Sequence, residues 1–177
     1  MRFPARPNGR FSAFLFSCLA VWLAQAAAAA PPEAPPIFVL NSLDASVSVI
    51  SPVDWTEKQR IATGKEPHHL YMTPDEKSVI VANSAGDSLT FLNPRTAEVQ
   101  RVVYGIIDPY QLQFSRDMKW FVTAGNRLNH VDIYRWDGKD LKLAKRIASG
   151  KTPSHIWIDN TSTIAYVTMQ DSDELIA

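Results

Sequence analysis

The chain has 177 residues, and its 18 basic and 18 acidic side chains give a formal net charge of zero. Residues 1–30 hold three of the basic and none of the acidic residues, so the rest carries 15 − 18 = −3. A weakly acidic protein without a Lys/Arg cluster is not expected to bind nucleic acid. The single cysteine, Cys18, lies within residues 1–30. The remaining chain therefore has no disulfide, cysteine nucleophile or thiolate metal site.

The first 30 residues have the three parts of a secretory signal peptide. Three arginines precede the apolar segment 11–30, which ends in five alanines, and the Pro-rich spacer 31–36 follows. This order predicts cleavage and a periplasmic or extracellular location. The alternative is an uncleaved leader, the only expected membrane contact, because about 20 apolar residues span a bilayer. Lipidation of Cys18 is disfavoured because a mostly apolar segment of 12 residues follows it.

An internal repeat organises the chain after the spacer. Its first marker is an apolar segment whose aligned valines lie 42, 41 and 45 residues apart: Val39, Val81, Val122 and Val167. The second marker is a Gly-x-x-Pro element, one residue longer in the middle copy, whose prolines lie 42 and 44 residues apart: Pro67, Pro109 and Pro153. Two independent markers with one period predict four repeats. Their expected bounds are 37–67, 68–109, 110–153 and 154–177.

Each period consists of short apolar runs separated by turns. The runs are rich in Val, Ile, Phe, Tyr and Thr, and Pro, Asn, Asp and Gly interrupt them, which is typical of antiparallel strands. No segment after the leader keeps helical periodicity over three turns. Four short antiparallel strands in about 42 residues are typical of a propeller blade. The predicted fold class is all-β, a β-propeller of four-stranded antiparallel blades.

The repeat resembles the YVTN-type propeller repeats of exported bacterial proteins. Residues 166–168 and 121–123 resemble the element that names this family, and residues 80–83 are a close variant. Residues 64–75 resemble its inter-blade element. The resemblance covers residues 37–177 and implies a propeller, typically of seven blades. It implies no particular partner.

The phase of the repeat predicts an incomplete ring. Residues 68–103 and 110–148 are expected to form two whole blades. Residues 37–62 would supply the outer three strands of an earlier blade, and residues 154–177 the first two strands and the start of the third of a later one. This amounts to about 3.5 blades, fewer than the four to eight of known propellers. We therefore expect a fragment, a truncated reading frame or one part of a larger assembly, with the missing blades supplied by a longer chain or a partner.

Six residues directly after the repeat prolines are predicted to surround one mouth of the central channel. They lie one or two residues after each proline: His68, His69, Tyr110, Gln111, Ser154 and His155. Histidine and tyrosine can ligate a metal or haem iron, or act as acid and base. The alternative is that they bond neighbouring loops and recur because the repeat recurs.

Other polar and aromatic residues have simpler interpretations. Five carboxylates before the third strands are expected to be solvated turn residues, since their spacing is not that of an EF-hand: Asp44, Asp87, Asp171, Asp173 and Glu174. The tryptophans are expected to pack between blades rather than bind a sugar: Trp55, Trp120, Trp136 and Trp157. His130 is expected to be an exposed or rim residue.

The predicted function is an exported, non-catalytic platform that binds a protein or a small molecule. No G-x-S-x-G, H-E-x-x-H or P-loop motif is present, and no motif requires a cofactor. One alternative is a cofactor-binding periplasmic propeller, because the sequence more remotely resembles haem-d1-binding domains. A propeller lactonase is a weaker alternative. In the haem alternative, the ligands would be His68, His69 or His155, although the covalent haem motif C-x-x-C-H is absent.

Overall fold

The computed structural model describes residues 34–177, which form four antiparallel sheets. The predicted signal peptide and residues 31–33 of the predicted spacer lie outside the described residues. The first sheet has three strands: β1 (Ile37–Asn41), β2 (Ser46–Ile50) and β3 (Glu57–Ala62). The second has four: β4 (Pro67–Met72), β5 (Val79–Asn83), β6 (Ser88–Leu92) and β7 (Val99–Tyr104). A single 3₁₀ turn, Ser84–Gly86, lies between β5 and β6.

The third and fourth sheets repeat the same up-and-down order. The third has four strands: β8 (Gln111–Phe114), β9 (Trp120–Gly125), β10 (His130–Trp136) and β11 (Leu141–Ala148). The fourth has three: β12 (Pro153–Ile158), β13 (Ala165–Met169) and β14 (Glu174–Ile176). Strands adjacent in sequence are paired within each sheet, so every sheet is an antiparallel meander. The all-β prediction is confirmed. No helix within residues 34–177 has the length and apolar composition needed to cross a bilayer.

The turns repeat with the same period as the strands. One hairpin in each sheet has a non-glycine residue in the left-handed region. This hairpin follows the first strand of the first sheet and the second strand of each later sheet, and the four residues are Ala45, Asp87, Asn129 and Asp173. The residue before each repeat proline is also left-handed: Glu66, Asp108 and Thr152. Such conformations are uncommon for non-glycine residues. Their recurrence shows that the same turn geometry is built in successive sheets.

Strand pairing corrects one detail of the predicted repeat. Leu70 pairs with Val81, and Leu112, at the same distance from its repeat proline, pairs with Thr123. Thr123 is therefore the equivalent of Val81, and the expected alignment of Val122 was wrong by one residue. A shift of one residue moves a side chain to the other face of a sheet. Val122 accordingly packs towards the fourth sheet, whereas Val81 packs towards the first.

The apolar core lies between successive sheets. Leu89 of the second sheet packs against Phe114 and Phe121 of the third. Val122 packs against Ile156 across the next interface. These interfaces remove the inward-facing side chains from water, which is the main stabilisation available to short strands. Sheet-on-sheet packing with strands in sequence order is the arrangement of propeller blades.

The tryptophans do not share one role. Trp136 packs edge-on against Phe114 with ring centroids 5.6 Å apart, and the Arg101 guanidinium lies 4.9 Å from its centroid. The prediction of packing between blades is correct for this residue. It is wrong for Trp55 and Trp157, which are 73% and 55% exposed. Trp55 lies in the turn before β3, and Trp157 lies on a sheet face that no described residue covers.

A buried polar network lies on β10. The Asp132 carboxylate is fully buried and accepts two hydrogen bonds of 2.7 Å from Arg146, and a third of 3.0 Å from the Tyr134 hydroxyl. The Nε2 atom of His130 lies 3.5 Å from the same carboxylate. His130 is only 5% exposed, so its predicted rim position is wrong. Its ring instead fills the space beside Gly125, where an added Cβ would lie 2.4 Å from the imidazole.

Candidate functional site

The first strands of three sheets bring the predicted channel-mouth residues together. β4, β8 and β12 each form one edge of their sheet, and β8 contacts both of the others. His68 and His69 lie on β4, and Ser154 and His155 lie on β12. Tyr110 precedes β8, whose first residue is Gln111. Residues separated by about 40 positions in sequence therefore meet because equivalent strand starts converge.

Four of the six side chains form a cluster of rings, which we call the ring cluster: His68, His69, Tyr110 and His155. The His68 and Tyr110 rings are 4.0 Å apart between centroids. The His69 ring lies 4.9 Å from that of His68 and 6.0 Å, edge-on, from that of His155. Distances of 4.5–7 Å and tilted or edge-on geometry are typical of attractive aromatic pairs. The ring cluster thus joins side chains from three sheets.

The remaining two predicted residues lie at the border of the ring cluster. Ser154 is buried, and its Oγ atom lies 3.1 Å from Nδ1 of His155. The side-chain oxygen of Gln111 is buried and has no hydrogen-bond partner among residues 34–177. An unpaired buried acceptor costs free energy and is rare in folded proteins. The Gln111 oxygen is therefore an unpaired acceptor next to Tyr110 in sequence.

The hydrogen bonds fix the protonation of His69. Its Nδ1 atom lies 2.7 Å from the backbone carbonyl oxygen of Tyr110. A carbonyl oxygen only accepts, so Nδ1 carries the hydrogen and donates it. Nδ1 of His68 lies 3.0 Å from Nδ1 of His69. Because the His69 nitrogen carries the hydrogen, the His68 nitrogen can only act as a second acceptor of that hydrogen bond. In the neutral ring, Nε2 of His69 consequently has a free lone pair, which can accept a hydrogen bond or ligate a metal.

Burial makes these two histidines hard to charge. Desolvation lowers the pKa of His68 from its ordinary value of 6.5, against the opposing charge of Glu66. Desolvation also lowers the pKa of His69, aided by His68 and His155 and opposed by the hydrogen bond to the Tyr110 carbonyl. Both imidazoles are therefore neutral at pH 7. His68 and His69 therefore contribute neutral donors, acceptors and aromatic faces to the ring cluster.

This difference predicts how stability depends on pH. The unfolded chain takes up protons on His68 and His69 as the pH falls through 6.5, whereas the folded protein resists until a lower pH. The two histidines make their full contribution to the free energy of unfolding above the pKa of the unfolded chain. This contribution is lost as the pH falls through their lower pKa in the folded protein. We expect the free energy of unfolding to fall more steeply between about pH 7 and about pH 5 in the natural protein than in the His68→Gln/His69→Gln variant. Urea unfolding at both pH values measures the two slopes.

A control variant tests whether the change in slope comes from the two histidines, since all three proteins contain the same carboxylates. Tyr104→Gln changes an exposed residue away from the ring cluster and should keep the slope of the natural protein. Equal slopes in all three proteins would contradict the prediction.

The described residues do not contain a ready-made metal site. Within residues 34–177, no three His, Cys, Asp or Glu side chains are grouped so as to hold a metal ion. Four of the five predicted turn carboxylates have local partners. Asp87 accepts a hydrogen bond from the Asp108 backbone, Asp171 accepts one from the Thr152 hydroxyl, Glu174 accepts one from the Ser172 hydroxyl, and Asp44 pairs with Arg60 at 3.5 Å.

The sequence analysis overlooked a second row of side chains on the same strands. Four residues after each repeat proline are Tyr71, Gln113 and Trp157. Alternate strand residues lie on the same face, so this row continues the one formed by His69, Gln111 and His155. The signal was available in the two-residue period of the strands, but Trp157 was predicted only to pack between blades.

Comparisons with solved structures agree on the fold. Hydrazine synthase of Kuenenia stuttgartiensis matches with a TM-score of 0.62 and 18% identity, over 78% of this chain and 40% of that one. A Bacteroides uniformis protein provisionally described as a 6-phosphogluconolactonase matches with a TM-score of 0.66 and 12% identity, over 81% and 47%. Dihydro-heme d1 dehydrogenase NirN in complex with DHE matches with a TM-score of 0.60 and 19% identity, over 82% and 32%. The chain thus spans less than half the length of these structures.

Sequence comparison finds no match among curated proteins. A family model described as the YNCE-like beta-propeller matches residues 9–177, which is nearly the whole chain. The up-and-down meanders, their face-to-face packing and the 42-residue period agree with this match. The chain therefore belongs to the YNCE-like β-propeller family.

Proposed function

We propose that this protein is an exported, non-catalytic propeller of the YVTN type that binds its ligand at the ring cluster. The observation that carries the proposal is the convergence of His68, His69, Tyr110 and His155 from three sheets. Imidazoles and a phenol offer both hydrogen bonding and aromatic contact, which are the usual means of fixing a ligand in a pocket. The leader sequence supports a periplasmic or cell-envelope location.

The surroundings of the histidines support binding rather than chemistry. A general base is normally oriented by a third group, such as a carboxylate. The Nδ1 partner of His69 is a backbone carbonyl, and that of His155 is the hydroxyl of Ser154. Ser154 is buried, so its hydroxyl is poorly placed to attack a substrate. Within residues 34–177, neither His69 nor His155 therefore has a carboxylate as its Nδ1 partner.

A second candidate function is the binding of a planar cofactor with a metal at its centre. The observation that favours it is the free Nε2 lone pair of His69, because a histidine nitrogen can ligate the metal of such a group. His69 would hold the metal, and Tyr110 and His68 would contact the rest of the group. Likeness to NirN supports this candidate at the level of the fold only.

Absorption and metal analysis of the full-length protein purified from the cell envelope distinguish the two candidates. The non-catalytic proposal expects a colourless, metal-free protein that does not hydrolyse gluconolactone above the rate of the His69→Ala/His155→Ala variant. If the natural protein has a visible absorption band or a stoichiometric metal that this variant lacks, the non-catalytic proposal is wrong and the cofactor candidate is supported. Lactone hydrolysis that the variant loses while remaining folded would replace both with an enzyme. Tyr104→Ala is the matched control variant.

We also propose that a further sheet, from a longer chain or a partner, covers the outer face of the fourth sheet. This face carries Tyr166 and Leu175, the equivalents of Ile80 and Leu89, which the third sheet buries completely. Trp157 lies beside Tyr166, and its equivalent Tyr71 is only half-buried by the third sheet, so a covering sheet would leave part of the Trp157 ring accessible. A contiguous exposed apolar face of this kind is typical of an interaction surface.

A further inference from the structure

A pocket lies at the opposite end of β4, β8 and β12 from the ring cluster. It has a volume of about 320 Å³ and is open to solvent. Each of the three converging strands contributes to it: Tyr71 and Pro74, Gln113 and Arg116, and Trp157 and Asn160. These are the residues four and seven positions after each repeat proline. The volume lies within the range of small-molecule sites, which is about 300–1,000 Å³.

Two aromatic side chains give the pocket an apolar wall. Trp157 is more than half exposed, and its ring lies 5.7 Å from that of Tyr166 on the next strand, which holds its orientation. Tyr71 is half-buried, and its hydroxyl donates a hydrogen bond of 3.3 Å to the Phe114 carbonyl. Tyrosine and tryptophan present a rigid apolar body at low cost in side-chain entropy. Such surfaces suit the flat C–H face of a ring.

The polar wall offers mainly hydrogen-bond donors, together with two amide oxygens as acceptors. The side chains of Gln113, Arg116 and Asn160 make no hydrogen bond within residues 34–177, so their polar atoms are available to a ligand. Asp159 is different: its carboxylate accepts hydrogen bonds from the Thr163 and Ile164 backbones, at 2.7 and 2.9 Å. These bonds close the turn that presents Asn160. Two free amides and a guanidinium remain to contact a ligand.

The charge of the pocket is close to neutral. The hydrogen bonds from Ile164 and Thr161 hold the pKa of Asp159 well below its ordinary value, so its carboxylate stays ionised at neutral pH. This negative charge offsets that of Arg116. A strongly anionic ligand would gain from the guanidinium but be repelled by the carboxylate. Hydroxyl groups, which both donate and accept, match amides and a guanidinium without this conflict.

From this arrangement we propose that the pocket lined by Tyr71, Gln113, Arg116, Trp157 and Asn160 binds a neutral carbohydrate of hexose size. The aromatic rings contact the apolar face of the sugar ring, and the amides and the guanidinium bind its hydroxyls. The site is separate from the ring cluster and requires none of its histidines.

Titration of the full chain with D-glucose and with maltotriose, followed by saturation-transfer NMR, tests this inference. We expect saturable binding of at least one of the two sugars. Equal affinity would indicate a free hexose as ligand, and tighter binding of maltotriose would indicate the end of a glycan. Trp157→Ala should weaken binding about tenfold or more, in line with the loss of one aromatic contact. Asn160→Ala, at an exposed turn, should weaken it with no change in fold.

Two control variants make the result specific. Trp55→Ala removes a tryptophan outside the pocket that is more exposed than Trp157, and it should leave sugar binding unchanged. His69→Ala/His155→Ala should also leave it unchanged, which separates this site from the ring cluster. Absence of saturable binding of either sugar would overturn the inference. Binding of D-gluconate that is much tighter than that of D-glucose and depends on Arg116 would overturn it in favour of an anionic ligand.

Discussion

Leu89→Ala is expected to lower the free energy of unfolding by about 2–5 kcal/mol, whereas Leu175→Ala should change it by less than about 0.5 kcal/mol. The two leucines occupy equivalent positions, since Leu89 pairs with Ala82 and Leu175 with Thr168. Leu89 is fully buried between the second and third sheets, and Leu175 is 63% exposed. Only Leu89→Ala therefore leaves a cavity. Urea unfolding of the 177-residue chain measures both values.

The same pair of variants tests the proposed covering sheet. In a longer chain or an assembly that supplies the next blade, Leu175 should become buried, and Leu175→Ala should then cost about as much as Leu89→Ala. If Leu175→Ala costs nothing in either context, no sheet covers this face and that proposal is wrong. A large cost in the 177-residue chain alone would contradict the exposed position of the side chain.

Arg146→Ala is expected to cost about 3 kcal/mol or more of unfolding free energy. The Asp132 carboxylate is fully buried and receives both of its charge-assisted hydrogen bonds from the Arg146 guanidinium. Removing one partner of such a pair leaves an uncompensated buried charge, which costs more than the pair contributes. After the change, the groups left beside the carboxylate are the uncharged Tyr134 hydroxyl, at 3.0 Å, and the His130 ring, whose Nε2 atom lies 3.5 Å away. Thermal or urea unfolding at neutral pH measures the loss.

A double-mutant cycle identifies the source of this cost. The Asp132→Ala/Arg146→Ala protein removes both charges, so it should be less destabilised than the sum of the two single variants. Arg135→Ala is the matched control, because its guanidinium lies 3.9 Å from the Trp120 ring centroid and contacts no buried carboxylate within residues 34–177. Additive effects of Asp132→Ala and Arg146→Ala would show that the two residues act independently.

The strands of the repeat could be predicted because their signals are local. Alternating apolar residues and turn residues such as Thr73-Pro74-Asp75 depend on neighbours in sequence, and the structure places strands where these patterns occur. The alignment of Val122 failed because apolar residues on both faces of a buried strand give no alternation. Two registers then look equally good, and only the pairing of Leu112 with Thr123 separates them.

The candidate site was predictable in position but not in chemistry. The spacing of Pro67, Pro109 and Pro153 placed six residues at equivalent strand starts. It gave no information on the hydrogen bond from His69 to the Tyr110 carbonyl, which sets the free nitrogen of that histidine. Long-range contacts of this kind join residues that are 41 positions apart, and no local pattern encodes them.

The sequence by itself determined the class of the fold, the period of the repeat and the convergence of equivalent strand starts, because these follow from local periodicity and from repetition. The tertiary structure alone decided burial. His130 was expected at the rim and is buried, whereas Trp157 was expected in a packed interface and is exposed. Whether a side chain is covered depends on the neighbouring sheet, and that sheet is specified elsewhere in the chain. The net charge of −3 predicts only that nucleic acid is not a partner. The contact of His68 with Tyr110, and the grouping of Trp157 with the amides of Gln113 and Asn160, depend on how the sheets pack.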